Sequence, residues 1–353
     1  MNLFQRILHR PFFIKLFNWE YWSFNTVYFP ILIYWVWLAL KARSLFFFSA
    51  SNPSILNGGF LMESKKAIYD ILPEGLYPKT IYIKTGTESN HVMDLVKTHQ
   101  LSFPLIAKPD LGGRGRGVKK LNSCEDLRLY TLASELDFLV QEFVPFEKEA
   151  GIFYYRYPGG DGNISGIVRK EFLSVTGDGQ ATILELCNRE KRFILQVPQL
   201  KKLYGEGLNE VLNRGEVREL VPYGNHARGA KFIDDSHLAD EQLINTIDQV
   251  CRQVPGFYYG RLDIRFNNWQ ELKEGKNFSI IELNGAGSEP THMYDPSHSL
   301  LFAWKEIIRH WIILYRISRI NHRKGIPYLT YKEGLSMMKE NKKTDKILAA
   351  QHV

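Results

Sequence analysis

Three cysteines in 353 residues are too few for a disulfide scaffold, and Cys124, Cys187 and Cys251 stand in no metal-ligand spacing. A reducing compartment is the simple expectation. There is no internal repeat and no low-complexity segment. With 44% hydrophobic and 24% charged residues, disorder is excluded as the main state. At about 150 residues per domain, two or three domains fit this length. The excess of positive charge is modest: 45 Lys and Arg against 38 Asp and Glu leave +7. Such a balance suits an anionic ligand, an anionic membrane surface or nucleic acid. The basic residues gather in the N-terminal segment, a glycine loop and the C-terminal tail, and no nucleic-acid recognition motif accompanies them. Nucleic acid is therefore not expected as a partner.

The longest uncharged run is Tyr21 to Leu40. It lies within an aromatic stretch from Phe12 to Phe48. Twenty uncharged residues are about long enough to span a bilayer. Against a plain span, Pro30 interrupts the run, Ser23, Asn25 and Thr26 dilute it, and Trp and Tyr are scattered through it instead of gathering at its ends. Arg6, Arg10 and Lys15 precede it and Lys41 and Arg43 follow. An interfacial helix or helical hairpin explains these features best, and Leu3, Phe4, Ile7 and Leu8 recur at helical spacing before it. The alternatives are a helical cap whose aromatics pack on the protein, and a true span. A cleaved signal peptide is not expected. From Asn52 short apolar strands alternate with turns and amphipathic segments, and after Lys324 the chain turns polar and lysine-rich. The expected division is an apolar segment over 1–51, a catalytic domain over 52–325 and a polar tail over 326–353 that frays.

Four segments carry chemistry. In FPLIAKPDLGGRGRGVKKL, Leu105 to Ala107 read as a strand closed by Lys108, followed by Gly112, Gly113, Arg114, Gly115, Arg116 and Gly117. Glycines let backbone amides approach an anion, yet the spacing is neither a P-loop nor a dinucleotide fingerprint. In LVQEFVPFEKEAGIFYYRYP, a strand ends at Gln141 to Val144, and Glu149 opens the next. The edge can face a base, and the carboxylate can bond ribose hydroxyls. In GNISGIVRKEFLSVTGDGQATILEL, Arg169 and Lys170 lie on a strand ahead of a turn and a helix. A lysine so placed can hold a phosphate as a point charge. In FYYGRLDIRF, period two puts Arg261, Asp263 and Arg265 on one face, and the strand FSIIELN ends in Glu282 and Asn284. Pairing the two strands brings two carboxylates and an amide oxygen together, a hard-oxygen set suited to Mg²⁺.

This order of motifs resembles the ATP-grasp superfamily, and GRLDIR with IIELN resembles its D-alanine–D-alanine ligase, or carboxylate–amine ligase, branch. The likeness covers about residues 61–320. It implies an α+β fold of two subdomains gripping ATP, preceded by the aromatic, apolar helical segment. It implies that Lys108 and Lys170 contact nucleotide phosphates under the mobile loop Gly112, Gly113, Arg114, Gly115 and Gly117. Glu142 and Val144 would border adenine, Glu149 would bind ribose, and Asp263, Glu282 and Asn284 would hold two Mg²⁺. Lys170 and Arg261 would serve catalysis, Arg261 by stabilising the charged transition state. Either Lys65 or Lys66 matches the superfamily's opening lysine. The reaction implied is ADP-forming: a carboxylate becomes an acylphosphate, which an amine, thiol or hydroxyl then attacks. The sequence departs from the branch at its start, where no Rossmann-like pre-domain precedes the motifs, so substrate identity is not inherited. His226, Arg228, Ser288 and His292, with Glu289, are candidates for the substrate pocket. The expected partners are small-molecule or lipid-linked carboxylates and amines, met in the cytoplasm or on the cytoplasmic face of a membrane. The alternatives are an ATP-binding, membrane-associated protein without ligase activity and an ATP-grasp-type kinase.

Overall fold

The computed structural model describes residues 9–113, 115–221 and 229–350. Helices and antiparallel sheets are mixed, as the α+β expectation requires. The chain divides into a larger unit over 33–167, 235–290 and 307–353, and a smaller one over 1–32, 168–234 and 291–306.

Strands β1 (Thr80–Ile83), β2 (Leu105–Pro109), β3 (Lys119–Leu121) and β4 (Phe138–Glu142) form one sheet of the larger unit, in the order β1-β4-β2-β3. Its apolar face, with Ile81, Leu105, Ala107 and Val140, packs on Val92 and Val96 of the helix Ser89–Thr98 and on Leu127 and Tyr130 of the helix Cys124–Ala133. β5 (Lys148–Arg156) opens the second sheet, and β6 (Gly162–Glu171) begins in the larger unit and runs on into the smaller.

In the smaller unit β7 (Leu173–Thr176) pairs with β8 (Val217–Val221), and Val168–Glu171 of β6 pair with β9 (Lys231–Asp234). The helix Ile183–Arg189 starts with a reciprocal cap between Thr182 and Glu185, which satisfies amides that a helix start leaves unpaired. The first residues of the chain are tied down here. Arg192 donates to Glu20 Oε2 at 2.6 Å, Trp19 Nε1 donates to His298 O at 2.8 Å, and Trp304 Nε1 donates to Val27 O at 2.8 Å.

The larger unit resumes with the helix Glu241–Arg252. It begins at the Asp240 cap and buries Leu243, Ile247, Val250 and Cys251 at helical spacing. β10 (Tyr259–Phe266) and β11 (Phe278–Asn284) then join β5, giving β11-β10-β5-β6 within this unit. Leu262, Ile264 and Phe266 enter the core with Ala150, Ile152 and Ile280, which leaves the charged residues of β10 on the other face. The connection between β10 and β11 holds a short helix, Trp269–Lys273, capped by Asn268.

One expectation about the ends needs revision. The polar segment after Lys324 does not fray: it contains the helix Tyr331–Ala350, with Met337 and Leu348 buried. A few apolar side chains in a lysine-rich helix suffice once they meet a prepared surface. The aromatic N-terminal stretch forms one helical run, Phe24–Ala42, long and apolar enough to cross a membrane by length and composition. Pro30 does not break it; residues Phe29–Ile31 form a tighter turn, where the missing proline N–H costs least. Part of the run packs on the protein as a cap, with Trp35 against Phe47, Phe60 and Trp311. Ile33 and Leu40 stay 78% and 71% exposed, with Val36 and Trp37 between them also exposed.

Candidate active site

The site of the larger unit grows from three adjacent strands. β10 lies between β5 and β11, and the register sets Asp263 opposite Glu282 and Arg261 opposite Asn284. The predicted pairing is therefore present. Asp263 is buried and takes two bonds from Arg261, from Nε at 3.2 Å and from Nη2 at 3.0 Å. Burial works against the Arg261 charge, but Asp263, together with Glu282 and Glu289, outweighs it and the guanidinium is held protonated. Glu282 is half-buried, and no described residue hydrogen-bonds its carboxylate. The Asn284 amide Nδ2 is buried and likewise without a partner among the described residues. Farther along the same face Arg265 Nε meets Glu149 Oε2 at 3.3 Å, and its Nη1 donates to Val144 O at 3.4 Å. Glu142 is the last residue of β4, exposed and opposite Leu105.

A bulge aligns the lysine with this face. The register slips between Asp263 and Ile264, so Ile281 has no partner of its own on β10. Its carbonyl accepts from Tyr69 Oη at 2.6 Å and from Lys108 Nζ at 3.1 Å. Lys108, at the end of β2, also donates to Tyr69 Oη at 2.8 Å and Gln141 Oε1 at 2.9 Å. All its bonds go to neutral oxygens. Burial therefore dominates and lowers its pKa to about 8, with Glu282 acting in the opposite sense.

Geometry separates the two opening lysines. Lys65 donates to Gly112 O at 2.7 Å and Asp110 O at 3.2 Å, and burial lowers its pKa, Glu282 opposing. Lys66 turns outward to Asp70 at 2.6 Å on the next helical turn. Both start the helix Lys65–Ile71, capped by Ser64. Of the glycine loop, Gly112, Gly115 and Gly117 have positive φ, the conformation that glycine takes without strain. Gly113 lies in open space, and Tyr130 Oη ties Gly117 O at 2.7 Å. Arg114 lies outside the described residues.

One residue of this site was not read from the sequence. Glu63 accepts the Gly285 N–H at 3.4 Å through Oε2, while Oε1 is sealed and has no partner among the described residues. Burial raises its pKa to about 8; the Gly285 amide works against the shift and Glu282 adds to it. The stretch before it docks by backbone: Ala286 N bonds Gly58 O at 2.9 Å and Gly287 N bonds Gly59 O at 2.8 Å. The approach needs glycine, because a Cβ on Gly59, whose φ is +74°, would meet Gly285 Cα at 2.6 Å. A Gly-Gly pair ahead of an acidic residue was the available signal.

The substrate candidates scatter. Ser288 Oγ donates to Asn284 O at 2.9 Å and Gly285 O at 2.7 Å, both within its own turn. His292 belongs to the smaller unit, buried, with Nε2 at 3.1 Å from Glu306. Lys170 also lies in the smaller unit, in register with Phe232 on β9. His226 and Arg228 lie outside the described residues.

Among the described residues no group of three or more His, Cys, Asp or Glu side chains converges as a metal cage. Asp263, Glu282 and Asn284 nevertheless fit Mg²⁺, which is held by one or two carboxylates and completes its shell with water and phosphate oxygens. The uncommitted Glu282 carboxylate is the observation that favours this fit.

No family model matches the chain, and no curated protein does. Solved structures do resemble it. A bifunctional glutathione synthetase from Pasteurella multocida is 12% identical at a TM-score of 0.39, covering 74% of this chain and 38% of that one. A D-alanine–D-alanine ligase from Bacillus anthracis is 14% identical at 0.42, covering 74% and 69%. The VanG D-Ala:D-Ser ligase from Enterococcus faecalis is 12% identical at 0.40, covering 71% and 61%. These are ATP-grasp enzymes, the superfamily that the motifs resemble. The chain spans little more than a third of the first and about two thirds of the others. The likeness is distant, and the chemistry rests on this chain's own side chains.

Proposed function

We propose that the chain is an ATP-dependent ligase that activates a carboxylate as an acylphosphate for attack by an amine, a thiol or a hydroxyl, releasing ADP and phosphate. The observation that carries this reading is the facing pair Asp263 and Glu282, one carboxylate locked to Arg261 and the other without a hydrogen bond among the described residues. Asp263, Glu282 and Asn284 would hold Mg²⁺, which when bound neutralises phosphate charge. Lys108, buried, and Lys65, half-buried, present cations toward the same end of the sheet, and an arriving anion favours the charged form of each. Arg261, fixed by Asp263, balances charge that spreads over the transferred phosphoryl group. Lys170 would contact phosphate, Gly112 to Gly117 would cradle it, Glu142 and Val144 would border adenine, and Glu149 would bind ribose. His226, Arg228, Ser288 and His292 are the candidates for the acceptor pocket.

The reading places the chain in the cytoplasm, where ATP is, with residues 24–42 lying on an anionic membrane surface. The exposed apolar stripe of Ile33, Val36, Trp37 and Leu40, with Lys41 over the Trp37 ring, supports that placement. A surface-bound enzyme would meet amphiphilic, lipid-linked carboxylates or amines as well as soluble ones. Flotation with anionic and neutral liposomes tests the placement. Binding to anionic vesicles that is released by salt or carbonate supports an interfacial segment; no flotation on either kind removes it. Phosphorus NMR of a turnover mixture tests the reaction. ADP with inorganic phosphate is expected, and AMP with pyrophosphate would overturn the acylphosphate route.

A further inference from the structure

The glycine loop is held from outside the nucleotide motifs. The helix Tyr331–Ala350 runs along the larger unit: Gly334 packs on the Phe46 ring, Met337 is buried beside Phe46, and Thr344 Oγ1 reaches Met62 Sδ at 3.9 Å. Its last turns meet the loop. Leu348, 5% exposed, presses Cδ1 against Gly112 where any Cβ would stand. Gly112 has φ +108°, so no other residue takes this place without strain. Asp345 forms a close ion pair with Arg116 through Oδ1, and its Oδ2 accepts from Asn341 at 3.1 Å. Arg116 Nε is buried and has no hydrogen-bond partner among the described residues. The guanidinium that the sequence offers to an anion is thus drawn toward a carboxylate of the chain itself.

We propose that the C-terminal helix positions the nucleotide loop: Leu348 seats Gly112, and Asp345 holds Arg116 so that an incoming polyphosphate competes with a carboxylate for the guanidinium. This rests on the nucleotide reading above for its second half; the seating of Gly112 does not. Leu348 and Asp345 act with opposite sign on binding. Leu348 removes loop disorder that binding would otherwise have to suppress. Asp345 is an anion beside the place of an anion, and it weakens binding.

The test uses the full chain and two measurements, hydrogen exchange of the peptide 109–121 without nucleotide and calorimetry with Mg-ADP. Leu348→Ala is expected to speed exchange of that peptide about tenfold and to weaken Mg-ADP about threefold. Asp345→Asn is expected to tighten Mg-ADP about three- to tenfold, and the gain should vanish in the Arg116→Ala background. Unchanged exchange in Leu348→Ala overturns the seating. Unchanged or weaker binding by Asp345→Asn overturns the competition. If Leu348→Ala does not fold, the milder Leu348→Val decides the seating by the same exchange, expected to rise about twofold, with no rise counting against it. If the wild-type chain binds no nucleotide, the ligase reading and the competition fall together, and the exchange arm still judges the seating.

Discussion

Two carboxylates in the larger unit, Asp263 buried and Glu63 half-buried with its Oε1 sealed, meet opposite surroundings. Asp263 stands on β10, where period two puts Arg261 on the same face one pleat away, and it is bonded twice by that guanidinium. Glu63 ends an irregular stretch docked by backbone, which offers it one amide and, among the described residues, no ion pair, Lys65 and Arg261 acting only from a distance. Its pKa is raised to about 8 by burial. A strand face brings a counter-charge with the acid, whereas a docked loop brings only peptide groups. Glu282 lies between these cases: it faces Asp263 across the ladder, yet no described residue bonds it.

The strongest break of the comparison is at the ladder. Glu282→Gln and Asp263→Asn should each lower turnover at least about 10²-fold, because amides cannot balance phosphate and metal charge. They should part in stability. Asp263→Asn takes from the largely buried Arg261 its one hydrogen-bonded carboxylate, leaving Glu282 and Glu289 to act from farther off, and should cost about 2–3 kcal/mol by urea denaturation, whereas Glu282→Gln should change stability by less than about 1 kcal/mol. Equal losses of stability would make both residues one structural cluster.

Glu63 sharpens the contrast through pH. Its folded pKa lies above the ordinary carboxylate value of 4.5, so its contribution is present below 4.5 and is lost as pH rises to about 8. Glu63→Gln should remove that dependence and exceed the wild type by a few kcal/mol at pH 9, at about 1.4 kcal/mol per pKa unit. Parallel pH–stability curves for the two proteins would show that Glu63 does not carry a proton.

Lys108 is the cationic counterpart, with its folded pKa lowered from 10.5 to about 8. The unfolded chain binds the extra proton between those values, so stability from this group rises with pH from 8 to 10.5. Nucleotide affinity should move the other way and fall above pH 8 as Lys108 loses its charge. Lys108→Ala should weaken nucleotide about 10- to 100-fold, about 1.5–3 kcal/mol, and flatten that fall. Unchanged affinity by calorimetry in a folded variant would detach Lys108 from the site.

The ladder was legible because its signals are local. Alternation in Arg261-Leu262-Asp263-Ile264-Arg265 separates a charged face from an apolar one, and the two strands are joined closely enough to pair. Lys108 was legible as a cation at a strand end before glycines. The bulge at Ile281 was not, since which residue is left unpaired depends on the register of both partners. Nor could spacing choose Lys65 over Lys66; adjacent helical residues point about 100° apart, and only the docked loop shows which one faces Gly112. The helix Tyr331–Ala350 read as a solvated tail because its few apolar residues gain only against a surface made elsewhere.

The sequence by itself determined the strands, their faces and the residue types that meet at β10 and β11, since these follow from period two and from turns within a few residues. Tertiary structure alone decided the electrostatic state of those residues. Lys108 bonds neutral oxygens of Tyr69, Gln141 and Ile281, and Glu63 meets Gly285; the partners lie from 33 to 222 positions away. Whether a charge keeps its water or its counter-ion depends on what packs over it, and that cover comes from chain segments no local pattern connects.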